Sequence, residues 1–161
     1  MTEQDPAIVT SHPPDQLLRM INPILRYLLR TPLAGAAREQ LMVLNFTGRK
    51  SGRQYSVPVS AHMIDGDLYA LANAGWKANF RGGAPAQVLH EGKTTAMQGE
   101  LIKDRAVLVD LYHRAAESYG PKKAQRMMGL GFRDPRVPTR EEFAEAIDRM
   151  GLAAVRFTRA G

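Results

Sequence analysis

Apolar residues recur at helical spacing early in the chain. Leu17, Leu18, Ile21, Ile24, Leu25, Leu28 and Leu29 share one broad face of a 100° wheel, with Arg19, Arg26 and Arg30 opposite. This predicts a helical N-terminal segment over residues 15–38. Asn22-Pro23 offers an N-cap and a first helical residue inside it, so one kinked helix and two short ones fit equally, and Thr31-Pro32 breaks the pattern. Residues 1–14, polar and carrying Pro6, Pro13 and Pro14, read as a flexible tail.

The period then shifts from helical to alternating. Leu41 to Thr47 is apolar and rich in strand formers, and Tyr55, Val57 and Val59 alternate with Ser56, Pro58 and Ser60. Asp65-Gly66-Asp67 marks a turn before a strand from Leu68 to Ala72, and Glu91-Gly92 joins Gln87–His90 to Thr94–Ile102. Asn73 to Pro85, which holds the single tryptophan of the chain, reads as irregular.

Helical signals return in the last third. Asp104 can cap a helix that buries Val107, Leu108, Leu111, Tyr112 and Ala115 and stops at Gly120; Pro121–Met128 suits a short helix. Thr139-x-x-Glu142 is a capping box ahead of Phe143, Ala146, Ile147 and Met150, and Gly151 stops that helix. Leu152 to Thr158 alternates as a closing strand. The order predicts one α+β domain over residues 1–161, with a small antiparallel sheet or barrel closed by the last strand.

Composition narrows the chemistry. The chain has 161 residues and no cysteine, which excludes disulfides, thiolate metal ligation and a cysteine nucleophile. His12, His62, His90 and His113 show no metal-ligand spacing, so no metal site is expected, and no G-x-S-x-G elbow supports a hydrolase. Twenty-two basic against sixteen acidic residues give a net charge of +6, a balance suited to anionic partners. No secretory signal and no long apolar run is visible, so a cytoplasmic protein is expected. The basic amphipathic face over residues 17–30 also suits peripheral contact with an anionic membrane.

Two local features carry candidate chemistry. In Thr47-Gly48-Arg49-Lys50-Ser51-Gly52-Arg53, glycines permit a tight turn, Arg49, Lys50 and Arg53 supply charge, and Ser51 adds a hydroxyl donor. The motif is a candidate phosphate loop without being a Walker A loop. A solvated hairpin tip guarded by basic residues is the alternative reading. In Ala72-Asn73-Ala74-Gly75-Trp76-Lys77-Ala78-Asn79-Phe80-Arg81-Gly82-Gly83, small residues allow close approach of a flat ring beside the indole face of Trp76. A loop anchored by a core tryptophan is the alternative there.

Together the run from Leu41 to Pro58, the Gly66-Asp67 turn and Trp76-x-x-Asn79-x-x-Gly82-Gly83-Ala84-Pro85 resemble the deazaflavin-dependent nitroreductase family, among the split β-barrel flavin and deazaflavin oxidoreductases. The resemblance covers residues 17–102 and is weaker beyond. It implies an antiparallel split β-barrel of about six to seven strands, with an N-terminal amphipathic helix and C-terminal helices, binding coenzyme F420. It assigns Thr47, Arg49, Lys50, Ser51, Gly52 and Arg53 to the phosphate and acidic tail of F420. Ala72, Asn73, Ala74 and Gly75 would lie along the ring, Trp76 and Asn79 would shape the pocket, and Tyr55 and Pro58 would follow on the next strand. Lys77-Ala78 departs from the aromatic-arginine pair common in the family.

The implied reaction is hydride transfer between reduced deazaflavin and a small electrophilic acceptor such as a quinone, an enone or a nitroaromatic. The cofactor carries the difficult step, so no acid–base triad is required. The proton would come from solvent or from a tyrosine such as Tyr112 or Tyr119. FMN is the alternative cofactor, although its single phosphate needs fewer cations than this loop supplies. The rival reading is a non-catalytic binder of a fatty acid or similar lipid anion. Nucleic acid is not expected, because the loop lacks interleaved aromatics. Monomer and homodimer both fit.

Overall fold

The computed structural model describes residues 6–10, 40–72 and 75–160. The predicted helical segment over 15–38, and with it the face proposed for membrane contact, lies outside the described residues, as do Asn73 and Ala74. The described elements are β1 (Ile8–Thr10), β2 (Leu41–Thr47), β3 (Gln54–Ser60), β4 (His62–Ile64), β5 (Asp67–Ala72), a 3-10 helix (Gly75–Phe80), β6 (Ala84–His90), β7 (Lys93–Ile102), α1 (Arg105–Tyr119), α2 (Pro121–Met128), β8 (Leu130–Phe132), α3 (Arg140–Met150) and β9 (Ala153–Arg159). The class is α+β, as expected. Among the described residues, no helix is long and apolar enough to cross a membrane.

Seven strands form one sheet in the order β3-β2-β6-β7-β9-β5-β4. Its two outermost strands, β3 and β4, are joined through Ala61 alone. Laid flat, six inter-strand steps of about 4.8 Å would hold them ~29 Å apart. The link from Ser60 to His62 spans at most ~7 Å. The sheet therefore curls until its ends meet, and the chain steps across the seam at Ala61, the split barrel that was expected. Pro58 is tolerated because β3 ends the strand order and its missing N–H leaves no ladder bond broken.

Local chemistry sets the register. Asp65 and Gly66 have φ of 52° and 84°, and Glu91 and Gly92 have φ of 54° and 77°. Both are two-residue turns of the left-handed kind, whose twist matches that of the paired strands. They fix Ile64 opposite Asp67 and His90 opposite Lys93. β2 pairs with β3 from Leu41–Ser60 to Thr47–Gln54 and with β6 from Met42–His90 to Asn45–Gln87.

Contacts divide the described residues into two compact units, 40–70 with 75–101 and 155–160, and 6–10 with 71–72 and 102–154. The first is the barrel. Met42, Leu44, Phe46, Leu68, Phe80, Val88, Val155 and Phe157 fill it, with Trp76 packed against them half-buried. Gly99 is buried there because a Cβ would stand 2.6 Å from Phe80 Cδ1 and 2.8 Å from Phe157 Cε1.

The second unit packs α1 against α2 and α3. Asp104 caps α1 by accepting from the N–H groups of Ala106 and Val107, and the Thr139–Glu142 capping box opens α3, both as expected. Residues 8–10 correct the expectation of a tail. Ile8 is fully buried, and β1 pairs antiparallel with β8, Ile8 opposite Phe132 and Thr10 opposite Leu130. Neither three-residue strand is long enough to show a period.

Candidate functional site

The turn between β2 and β3 is built from its own glycines and hydroxyls. The N–H of Gly48 donates to Arg53 O (2.8 Å), that of Gly52 to Gly48 O (2.9 Å), and that of Arg53 to Ser51 Oγ (3.2 Å). Thr47 Oγ1 accepts from Gln54 Nε2 across the strand pair at 3.0 Å, which bolts the base of the turn. Gly48 is buried beneath Tyr55, whose hydroxyl lies 3.4 Å from Ser51 Oγ.

This turn meets the 3-10 helix that carries Trp76. Asn79 Nδ2 donates to Trp76 O at 2.9 Å, and Asn79 Oδ1 accepts the backbone N–H of Arg49 at 3.0 Å. The Arg49 guanidinium donates to Gly83 O at 2.8 Å. Two motifs some thirty residues apart in sequence are thus one structure. The irregular reading of 73–85 is corrected: Gly75–Phe80 is a 3-10 helix, and β6 begins at Ala84.

Between turn and helix lies a cavity of about 480 Å³, lined by Gly48, Arg49, Lys50, Ser51, Tyr55, Gly75, Ala78, Asn79 and Arg81. Three of these residues are cationic, and no carboxylate among the described residues lines it. Lys77, half-buried on the same helix, has its pKa lowered, first by burial and then by the nearby charge of Arg81. Crowded cations in a concave site favour an anionic ligand. Below them, the Phe46 ring stacks on Tyr55 (centroids 5.6 Å apart, planes at 21°) and neighbours Trp76 at 6.2 Å. Trp76 meets Phe80 edge-on at 6.0 Å.

Of the residues singled out from sequence, Arg49, Lys50, Ser51, Tyr55, Gly75 and Asn79 line this cavity. Thr47, Gly52 and Arg53 build the turn without lining it. Trp76 supports the site through its carbonyl and its ring. Pro58 lies along β3 opposite Val43 and lines no part of it. Ala72 ends β5. Gly48, Ala78 and Arg81 also line it; they lay within the two singled-out segments without an assigned role. Arg81 follows Asn79 by two positions on a basic loop, and that spacing was the available signal.

The tyrosines considered as proton donors stand elsewhere. Tyr112 is buried in the helical unit and donates its hydroxyl hydrogen to Ala153 O at 2.7 Å; burial pushes its pKa well above the usual phenol range. Tyr119 is half-buried, its pKa raised by burial, with the Lys123 ammonium 5.6 Å from its ring centre. Among the described residues, no cluster of three or more His, Asp or Glu could hold a metal ion.

The donor set fits a phosphate or carboxylate group: Arg49, Lys50 and Arg81 for charge, the Ser51 hydroxyl, and turn backbone left bare by glycine. The Tyr55 ring in the lining, backed by Phe46, suits a ligand that also carries a ring.

No protein-family model and no curated protein matches the chain. Among solved structures it is similar to one described as a domain-swapped dimer (15% identity, 89% of this chain and 98% of that one, TM-score 0.44). It is also similar to a Listeria innocua protein provisionally described as a pyridoxamine 5′-phosphate oxidase (9% identity, 88% and 94%, TM-score 0.44). A third is the conserved hypothetical protein Rv2991 of Mycobacterium tuberculosis (14% identity, 99% and 87%, TM-score 0.43). Likenesses at these scores carry no argument about function; the residues that line the cavity do.

Proposed function

We propose that this protein is an oxidoreductase that holds the deazaflavin coenzyme F420 in the cavity between the basic turn and the tryptophan helix. The observation that carries this reading is the junction of the two motifs: Asn79 and Arg49 join at 3.0 Å on a cavity lined by cations. A hairpin tip whose arginines served only solubility would have no reason to be tied to the indole-bearing loop.

When bound, reduced F420 supplies a hydride to an acceptor such as a quinone, an enone or a nitroaromatic, with a proton from solvent completing the reduction. The chain's own part is binding and orientation. Arg49, Lys50 and Arg81 neutralise the phosphate and acidic tail. Ser51 donates a hydroxyl hydrogen bond to an anionic oxygen. The half-buried Trp76, propped edge-on against Phe80, backs the site and anchors Asn79 through its carbonyl.

Titration of the purified protein with F420, FMN and a long-chain fatty acid, followed by fluorescence, tests this. F420 binding at micromolar concentration or tighter is expected, weakened at least tenfold in Arg49→Ala with Lys50→Ala. Fatty-acid binding with no response to F420 would show the protein to be a lipid-anion carrier instead.

A further inference from the structure

The turn makes an uneven use of its backbone. From Gly48 to Arg53, the N–H groups of Gly48, Arg49, Gly52 and Arg53 all have acceptors: Arg53 O, Asn79 Oδ1, Gly48 O and Ser51 Oγ. Those of Lys50 and Ser51 have none among the described residues. These two are consecutive, and both residues line the cavity. Successive unpaired N–H groups in a turn form a concave seat for an anion.

What holds that seat is a single side chain from elsewhere in the sequence. The Asn79 amide is planar, so fixing Nδ2 on Trp76 O also fixes where Oδ1 lies. Oδ1 then takes the N–H immediately before the two unpaired ones. The Arg49 side chain makes a second tie, to Gly83 O. Gly83 holds φ at 93°, a left-handed backbone that a side chain would strain.

We propose that Asn79 is a positioning residue: by holding the Arg49 backbone it keeps the Lys50 and Ser51 N–H groups together as an anion seat and couples that seat to Trp76. The proposal rests on reading the cavity as an anion site. It adds that the basic side chains alone do not make the site, and that an anion seated there is felt at the indole.

The test uses the full chain and inorganic pyrophosphate as probe. In the wild type, pyrophosphate should protect the Lys50 and Ser51 amides from hydrogen exchange and change the emission of Trp76, the only tryptophan. Asn79→Ala should weaken pyrophosphate about tenfold, the effect of one lost hydrogen bond. It should also free the Arg49 amide to exchange and leave the emission unresponsive. Asn79→Asp keeps an oxygen for the Arg49 N–H but loses the donor to Trp76 O, so it should protect the Arg49 amide in part while leaving the emission unresponsive, a separation that a mere packing role would not produce. If Asn79→Ala fails to fold, Asn79→Ser, too short to reach both partners, takes its place.

Unchanged pyrophosphate affinity while the Arg49 amide exchanges freely overturns the proposal, as does a wild type that binds no pyrophosphate. Pyrophosphate binding that depends on Asn79, in a protein that refuses F420, removes the redox reading alone. F420 binding unaffected by Asn79→Ala removes this inference alone.

Discussion

A methyl group on Gly48 would stand 2.6 Å from Cε2 of Tyr55, so the phenol ring lies directly against bare backbone at the cavity wall. The same ring stacks on Phe46. Tyr55 is 40% exposed, an unusual state for a ring so closely fitted. Gly48→Ala should therefore push the ring from its place. The expected cost is about 1–3 kcal/mol, as for other overpacking changes. Urea unfolding of the two single variants and of Gly48→Ala with Tyr55→Ala checks it. The double variant should lose less than the sum of the singles, because the clash with the ring vanishes and only the contact with Ser51 Oγ at 2.9 Å remains.

Gly99 is the more severe case. Its neighbours are two packed rings, Phe80 and Phe157, whose centroids are 5.6 Å apart. Neither can swing into solvent. Gly99→Ala should cost at least as much as Gly48→Ala, about 2–3 kcal/mol, and should also disturb Trp76 through Phe80. A shift in tryptophan emission without added ligand would report it. Stability equal to wild type would mean that the barrel core relaxes freely there.

His62 makes the barrel acid-sensitive. It is 1% exposed, and burial pushes its pKa down to about 4 from 6.5. Below pH 6.5 the unfolded chain takes up a proton that the folded chain refuses. The stabilisation is thus complete above pH 6.5 and is lost as pH falls to 4, by about 3 kcal/mol in all. Urea midpoints at pH 7, 6 and 5 measure the slope, and His62→Leu should flatten it. The same slope in both proteins would assign the effect to other groups.

The start of α3 responds at lower pH. The Glu142 carboxyl is held down to about 2 by a hydrogen bond from Arg136 and by the backbone N–H of Thr139. Its support is present above pH 4.5 and is lost as pH falls toward 2. Thr139→Ala should cost about 1 kcal/mol at neutral pH. Thermal melts of Glu142→Gln and wild type should differ at pH 6, with the gap narrowing steadily from pH 4.5 toward pH 2.

What could be read along the chain was local. A turn residue, a cap or an alternating run acts on its immediate neighbours, which is why β2, the two left-handed hairpin turns, both helix caps and the last strand stood where the pattern placed them. The basic turn was visible for the same reason, since its glycines and cations are contiguous. Residues 8–10 were not visible, because three residues acquire strand character only from the partner that covers them. Ile8 is buried by pairing with Phe132, 124 positions away, and its carbonyl accepts from Arg149 at 2.6 Å.

The site divides along the same line. Its ingredients, the Thr47–Arg53 turn and the Trp76–Asn79 segment, were determined by sequence alone, as was the positive charge that selects an anion. Their junction was not. That Asn79 meets the Arg49 backbone, that Arg81 and not Arg53 lines the cavity, and that Tyr112 is sealed within the helical unit were decided only by tertiary pairing and packing. A hydrogen bond between groups thirty residues apart depends on β2 pairing with β6, whose register carried past Asn45–Gln87 brings the turn beside the loop that precedes β6, and no pattern of neighbours along the chain encodes that pairing.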